Sequence, residues 1–180
     1  MTKYLISAAV LTVAMFTTLA GRAFADDEIV ADASAALQSL YGSEPSAKVI
    51  GEKAKAILVF PSIVKAGFIV GGQYGEGVLF ENGKFVAHYN SVAGSYGLQA
   101  GVQTFGYALF LMNDNALQYL SKSDGWELGV GPSIVIVDKG KAKSLTTTTL
   151  KDDVYAFIFD QKGLMAGLGL QGSKITRLEK

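Results

Sequence analysis

The chain has 180 residues, with 16 basic and 16 acidic side chains, one histidine and no cysteine. That balance excludes a general polyanion binder, which needs a clustered basic excess. The missing thiols exclude disulfides, thiol nucleophiles, thiolate zinc sites and an acylated cysteine. A hydrophobic share of 49% and a mean hydropathy of +0.29 exclude a disordered chain and leave one domain, globular or membrane-associated.

Residues 1–25 read as a secretory signal: Lys3, an uncharged apolar stretch from Tyr4 to Ala20, then Ala23 and Ala25 as the small residues before a cut. The apolar stretch is short of the ~20 residues a spanning helix needs. Cleavage leaves 26–180 as a single domain, and without Lys3 and Arg22 it carries 14 basic and 16 acidic side chains. The expected location is therefore exported, periplasmic or envelope-associated.

Asp26 to Gly42 reads as a helix, because Ile29, Ala33, Leu37 and Leu40 recur at spacings of four and three and form one apolar face. A second short helix begins near Ser43 or Ser46, with Pro45 tolerated in its first turn. From Ala56 the periodicity becomes two. Ala56–Phe60 is a strand ended by Pro61, and Gly67–Glu81 and Lys84–Ser95 form a hairpin around Asn82-Gly83, which supplies the positive backbone angles of a tight turn. After a less regular stretch from Tyr96 to Met112, Asn113 caps a short helix bearing Ala116, Leu117 and Leu120. Trp126–Val137, Ala142–Leu150, Val154–Phe159, Leu164–Gln171 and Lys174–Leu178 follow as strands. The turns between them include Asp138–Lys141, Lys151–Asp153 and Asp160–Gly163.

Of the 21 glycines, 20 lie after the signal, about 13% of the mature residues against a usual ~7%. Glycine inside strands implies sharp coiling or backbone crossing close to backbone. The expected fold is α+β: N-terminal helices packed on a strongly curved, Gly-rich antiparallel sheet, a closed or partly closed barrel.

Gly167–Gly172 spells GxGxxG but lacks the following helix and the acidic residue that a dinucleotide site needs. His88 lies on a strand without a sequence-local nucleophile or acid, and Asp152-Asp153 reads as a solvated turn, so no enzyme and no cofactor or metal is expected. Lysines are the better functional candidates. Lys48, Lys53, Lys55 and Lys65 flank an apolar segment, and Lys139, Lys141 and Lys143 alternate as a second basic patch. Such groups hold anionic headgroups at roughly 1 kcal/mol each near a charged surface.

Taken together, Ala54–Pro61, Lys65–Phe68, Gly94–Gly101, Gly131-Pro132 and Tyr155–Ser173 resemble the SYLF (Ysc84-like) lipid-binding family in a bacterial exported form, over nearly all of Asp26–Lys180. The resemblance implies a non-enzymatic domain that associates peripherally with anionic phospholipid or a membrane surface. Lys48, Lys53, Lys55 and Lys65 become the headgroup contacts, with Phe68 beside them. Members in eukaryotes bind phosphoinositides and some bind actin, which an exported chain would not meet. Two other readings stay open: an envelope structural or assembly protein acting through a protein partner, and a small integral outer-membrane barrel.

Overall fold

The computed structural model describes residues 27–122, 124–137, 150–163, 170 and 172–179, without the side chains of 68, 69, 95–100 and 163. The signal segment 1–25, nearly all of the strand expected at Ala142–Leu150 and most of that at Leu164–Gln171 lie outside the described residues.

Helix α1 (residues 27–43) buries Ala33, Leu37 and Leu40, the stripe set by their spacing. It ends because Pro45 disfavours helical backbone at the residue before it, and Glu44 is extended at φ −129°. Pro45 then opens helix α2 (Pro45–Gly51), where its missing N–H is one that no carbonyl would have accepted. Ala47 and Ile50 are the buried residues of α2.

Strands β1 (Ala56–Glu81) and β2 (Lys84–Leu111) have 26 and 28 residues and pair antiparallel along their whole length. Asn82 and Gly83 turn the hairpin at φ +50° and +73°. Pro61 does not end the strand. It falls in a register irregularity between Phe60 and Ile63, where a residue without an N–H breaks no regular ladder bond. A straight strand of this length would span roughly 85 Å, against a radius of gyration of about 15 Å for a domain of this size, so the ladder must bend.

It bends at Gly67–Gly71, where a β-carbon on Gly67 would lie 2.5 Å from Gly71 Cα. The two arms of β1 then fold against each other. A β-carbon on Gly77 would sit 2.6 Å from Phe60 Cδ1 and 2.7 Å from Val59 O, and one on Gly75 would strike Ile63 and, at 2.5 Å, Ser62 O. Ile63, Lys65, Gln73 and Gly75 occupy the buried concave face of this elbow. Val64, Ala66, Val70, Gly72 and Tyr74 occupy the exposed convex face.

After helix α3 (Asp114–Leu120), strands β3 (Trp126–Glu127), β4 (Ile134–Val137), β5 (Val154–Gly163) and β6 (Lys174–Arg177) complete the sheet in the order β3-β6-β2-β5-β4, with β1 on β2. The result is an α+β fold whose sheet curls into a half-barrel. Three local expectations are corrected. The single strand from Trp126 to Val137 is two short ones, because residues 128–132 are turn and bend. The sheet is not wholly antiparallel, since β4 runs parallel to β5. Asp160–Gly163 is no turn but the end of β5: Asp160, at φ +50°, is a bulge residue where β5 slips against β2 between Gly106↔Phe159 and Thr104↔Lys162.

Strand alternation feeds two cores. Leu58, Phe60, Tyr107, Leu109 and Leu111 face the interior of the curl with Trp126 and the α3 residues Ala116 and Leu120. Val59, Val78, Ala108, Phe110 and Phe157 face the other way and are covered by Leu37, Leu40, Ala47 and Ile50 of α1 and α2. Both faces of this part of the sheet are therefore buried.

Asp153 joins the start of β5 to two other elements. Asn113, whose Oδ1 caps α3 by accepting from Ala116 N at 3.1 Å, donates through Nδ2 to Asp153 Oδ1 at 2.6 Å. Ser133 donates to Asp153 Oδ2 from its backbone N at 2.8 Å and from its hydroxyl at 3.1 Å. The bonds from Asn113 and Ser133 hold the Asp153 carboxyl below the ordinary carboxylate value. A carboxyl with a lowered folded-state value stabilises above its unfolded value of about 3.9, and that contribution is lost as pH falls through the folded value. Asp153→Asn is expected to cost about 1 kcal/mol at neutral pH, the low end for charge-assisted bonds because the group is partly solvated. Urea unfolding at pH 7 and pH 3 checks this: the difference between wild type and variant should shrink at pH 3.

Candidate functional site

Lys48, in the last turn of α2, is exposed, and so are Lys53 and Lys55 in the turn that follows. That turn is held by Lys53 N and Ala54 N, which both donate to Ile50 O at 3.0 Å, and by Lys55 N, which donates to Leu111 O at 2.8 Å. The structure thus brings Lys48, Lys53 and Lys55 together on one connection. Lys55 Nζ is committed to Asp114 Oδ1 at 2.6 Å, an exposed pair worth at most about 1 kcal/mol.

Lys48 and Lys55 sit at a cleft of about 390 Å³ between α1, α2 and the β1–β2 turn. Leu37, Ala54, Ile57 and Phe80 give it an apolar floor, and Glu52, Asn82 and Gly83 line its rim with the lysines. Tyr41 also lines it; burial, and then the nearby Glu52 charge, raise its phenol above the ordinary value, so it stays a neutral donor. The ring can lie there because Gly51 has no side chain: a β-carbon would collide with the Tyr41 hydroxyl. The cleft combines an apolar floor and a neutral phenol with a mixed rim of Lys48, Glu52 and the Asp114-paired Lys55.

Lys65 is not with this group. It is buried, at 9% exposure, on the concave face of the elbow and opposite the buried Gln103. The backbone of Phe68 lies at the bend of β1, but its side chain is outside the described residues, as are Lys139, Lys141 and Lys143.

His88 is buried with its ring 4.8 Å from that of Phe85, and Asp153 is the junction described for β5. Among the described residues no three His, Cys, Asp or Glu side chains group as a metal site, and no helix is long and apolar enough to cross a membrane.

Sequence reasoning passed over the convex face of the elbow. Val64, Val70, Tyr74, Val92 and Val102 are between 45% and 65% exposed there. The signal was available: from Pro61 to Gly75 and from Ser91 to Thr104 the only charged residue is Lys65.

Residues 92–180 match the family described as "Ysc84: Las17-binding protein actin regulator". The match starts within β2 and runs through α3 to β6, so the cleft formed by α1, α2 and the hairpin turn lies before it. No curated protein matches the chain.

Proposed function

We propose, since this chain belongs to the Ysc84 (SYLF) family by its residues 92–180, that it is an exported, non-enzymatic protein that binds phospholipid peripherally, in the periplasm where the cell has two membranes. A domain of this family is lipid-binding or actin-regulator-related. Export through the leader-like residues 1–25 would carry the chain away from actin, which favours lipid. The single observation that carries this reading is the cleft, whose apolar floor of Leu37, Ile57 and Phe80 lies beside Lys48 and Lys55. The buried face of the helices supports peripheral rather than integral association: over Val59, Val78, Phe110 and Phe157 the sheet is covered by α1 and α2 and has no surface there for lipid.

Flotation with vesicles tests the proposal. The protein should float with vesicles containing anionic phospholipid at low salt and less at 1 M salt, where charges are screened beyond about 3 Å. Lys48→Glu with Lys53→Glu should weaken that component about tenfold or more, from roughly 1 kcal/mol for each basic residue lost near the charged surface. Absence of flotation with every vesicle, and no lipid in an organic extract of the purified protein, would sink the reading and turn attention to a protein partner.

A further inference from the structure

The elbow of the β1–β2 ladder is built unlike the rest of the surface. Its concave side is closed by contacts between the two arms of β1, at Gly67 with Gly71 and at Gly75 with Ile63. Its convex side presents Val64, Val70, Tyr74, Val92 and Val102, with Val70 and Val102 the most exposed at 65% and 61%. Tyr74 and Val92 are direct cross-strand partners on one arm, and Val64 and Val102 are diagonal neighbours on the other, so apolar side chains line the outer faces of both arms with Val70 at the bend between them. No exposed charge interrupts them, since Lys65 faces the other way.

Charged groups begin at the base of the elbow. Exposed Lys162 is paired with Thr104, and exposed Lys174 with Val92. Glu76 takes the Tyr74 hydroxyl at 2.9 Å, which leaves the ring on the apolar side and the oxygen on the wet side, as interfacial tyrosines sit.

From this arrangement we propose that the convex elbow inserts into a phospholipid bilayer, to the depth of the headgroup and upper acyl region, whatever the headgroup charge. The charge pattern fits a bilayer: an uncharged apolar tip of modest reach, a tyrosine at the polar boundary, and behind it Lys162 and Lys174 together with Glu76 and Glu127, a mixed set that suits headgroups carrying both signs of charge. The size argues against a second copy of the chain, because the convex face offers a handful of exposed side chains among the described residues where a specific protein interface uses about 20–30 a side. The inference goes beyond the lysine cleft and rests on the lipid-binding reading only for the class of occupant. The bend of β1 and the cleft are separated by the length of one ladder arm, so the two surfaces can be tested apart.

The absence of cysteine makes a site-specific test direct. Single variants Val70→Cys, Val102→Cys and, at the cleft, Gln38→Cys of the full chain, each labelled with an environment-sensitive fluorophore, are mixed with phosphatidylcholine vesicles and then with vesicles containing phosphatidylglycerol. Labels at positions 70 and 102 should shift to the blue and brighten severalfold with both vesicles, and be quenched by lipids spin-labelled near the headgroup. In unlabelled protein, Val70→Asp with Val102→Asp should lower partition to neutral vesicles about tenfold or more while leaving the thermal transition in place. Labels at 70 and 102 that do not respond, while the label at 38 responds to the anionic vesicles, would overturn the elbow and leave the cleft reading standing. A unresponsive set at all three positions would overturn both. Concentration-dependent dimers that are lost in the Asp variant, without vesicle binding, would overturn the bilayer in favour of a second copy.

Discussion

Gly77→Ala is expected to destabilise the protein by about 2–3 kcal/mol, and Gly94→Ala by less than about 0.5 kcal/mol. Both positions are strand glycines of the same hairpin, so strand propensity changes alike. They differ in what the new methyl group meets. At Gly77 it lies 2.6 Å from Phe60 Cδ1 and 2.7 Å from Val59 O, a side chain locked in the core and a backbone oxygen; at Gly94 it meets nothing within 4 Å. Phe60 cannot yield easily because its ring is fully buried and stacked on Tyr107 at 4.6 Å between centroids. Relief must come from prising apart the two arms of β1. For a domain of this size the change corresponds to roughly 5–10 °C in the thermal midpoint. Equal effects at the two glycines in thermal and urea unfolding would contradict the close crossing of the arms.

The largest single loss is expected at Phe110. Its ring is fully buried and meets Phe157 edge-on at 5.3 Å and Tyr41 at 6.4 Å. It belongs to β2 in the middle of the sheet, yet it faces α1 and α2, so it ties the helical layer to the strands. Phe110→Ala should cost about 3–5 kcal/mol, from lost transfer energy plus the cavity left among residues that cannot collapse into it. That is a large part of the 5–15 kcal/mol that usually separates folded from unfolded chains. Urea unfolding measures it. A loss under about 1 kcal/mol would mean that the helices are not anchored through this ring. A lowered slope against urea would show that they detach before the sheet opens.

The features readable from sequence were those in which a residue acts on its own backbone. Asn82-Gly83 demands a tight turn, Asn113 caps the next helix and Pro45 opens α2, each within a few positions of the residue itself. The spacing of Ala33, Leu37 and Leu40 likewise requires one buried helix face. Pro61 and Asp160 misled because a bulge inside a long strand uses the same residue types as a turn, and only the partner strand decides between them. Abundant glycine announced curvature. It could not show where, since the reason Gly75 and Gly77 carry no side chain lies in Ile63 and Phe60, which reach them only when the ladder folds over. The lysines were legible as a cluster. The burial of Lys65 was not, because which face of a strand is concave depends on the direction of the bend.

The fold-over of β1 has a further effect on how the protein behaves in a crowd. Among the described residues no strand other than β2 pairs with β1, and a long flat edge left open would act as a template on which a neighbouring chain can add a strand. Natural proteins usually deter this with charges, and the middle of β1 has Lys65 alone, turned inward. Here geometry replaces charge: Pro61 removes an edge N–H, the irregularities at Phe60/Ile63 and Gly67/Ile69 break the spacing of donors and acceptors, and the elbow turns one long edge into two short, differently directed ones. An apolar strand can thereby remain exposed on one face without becoming a nucleus for intermolecular sheet growth.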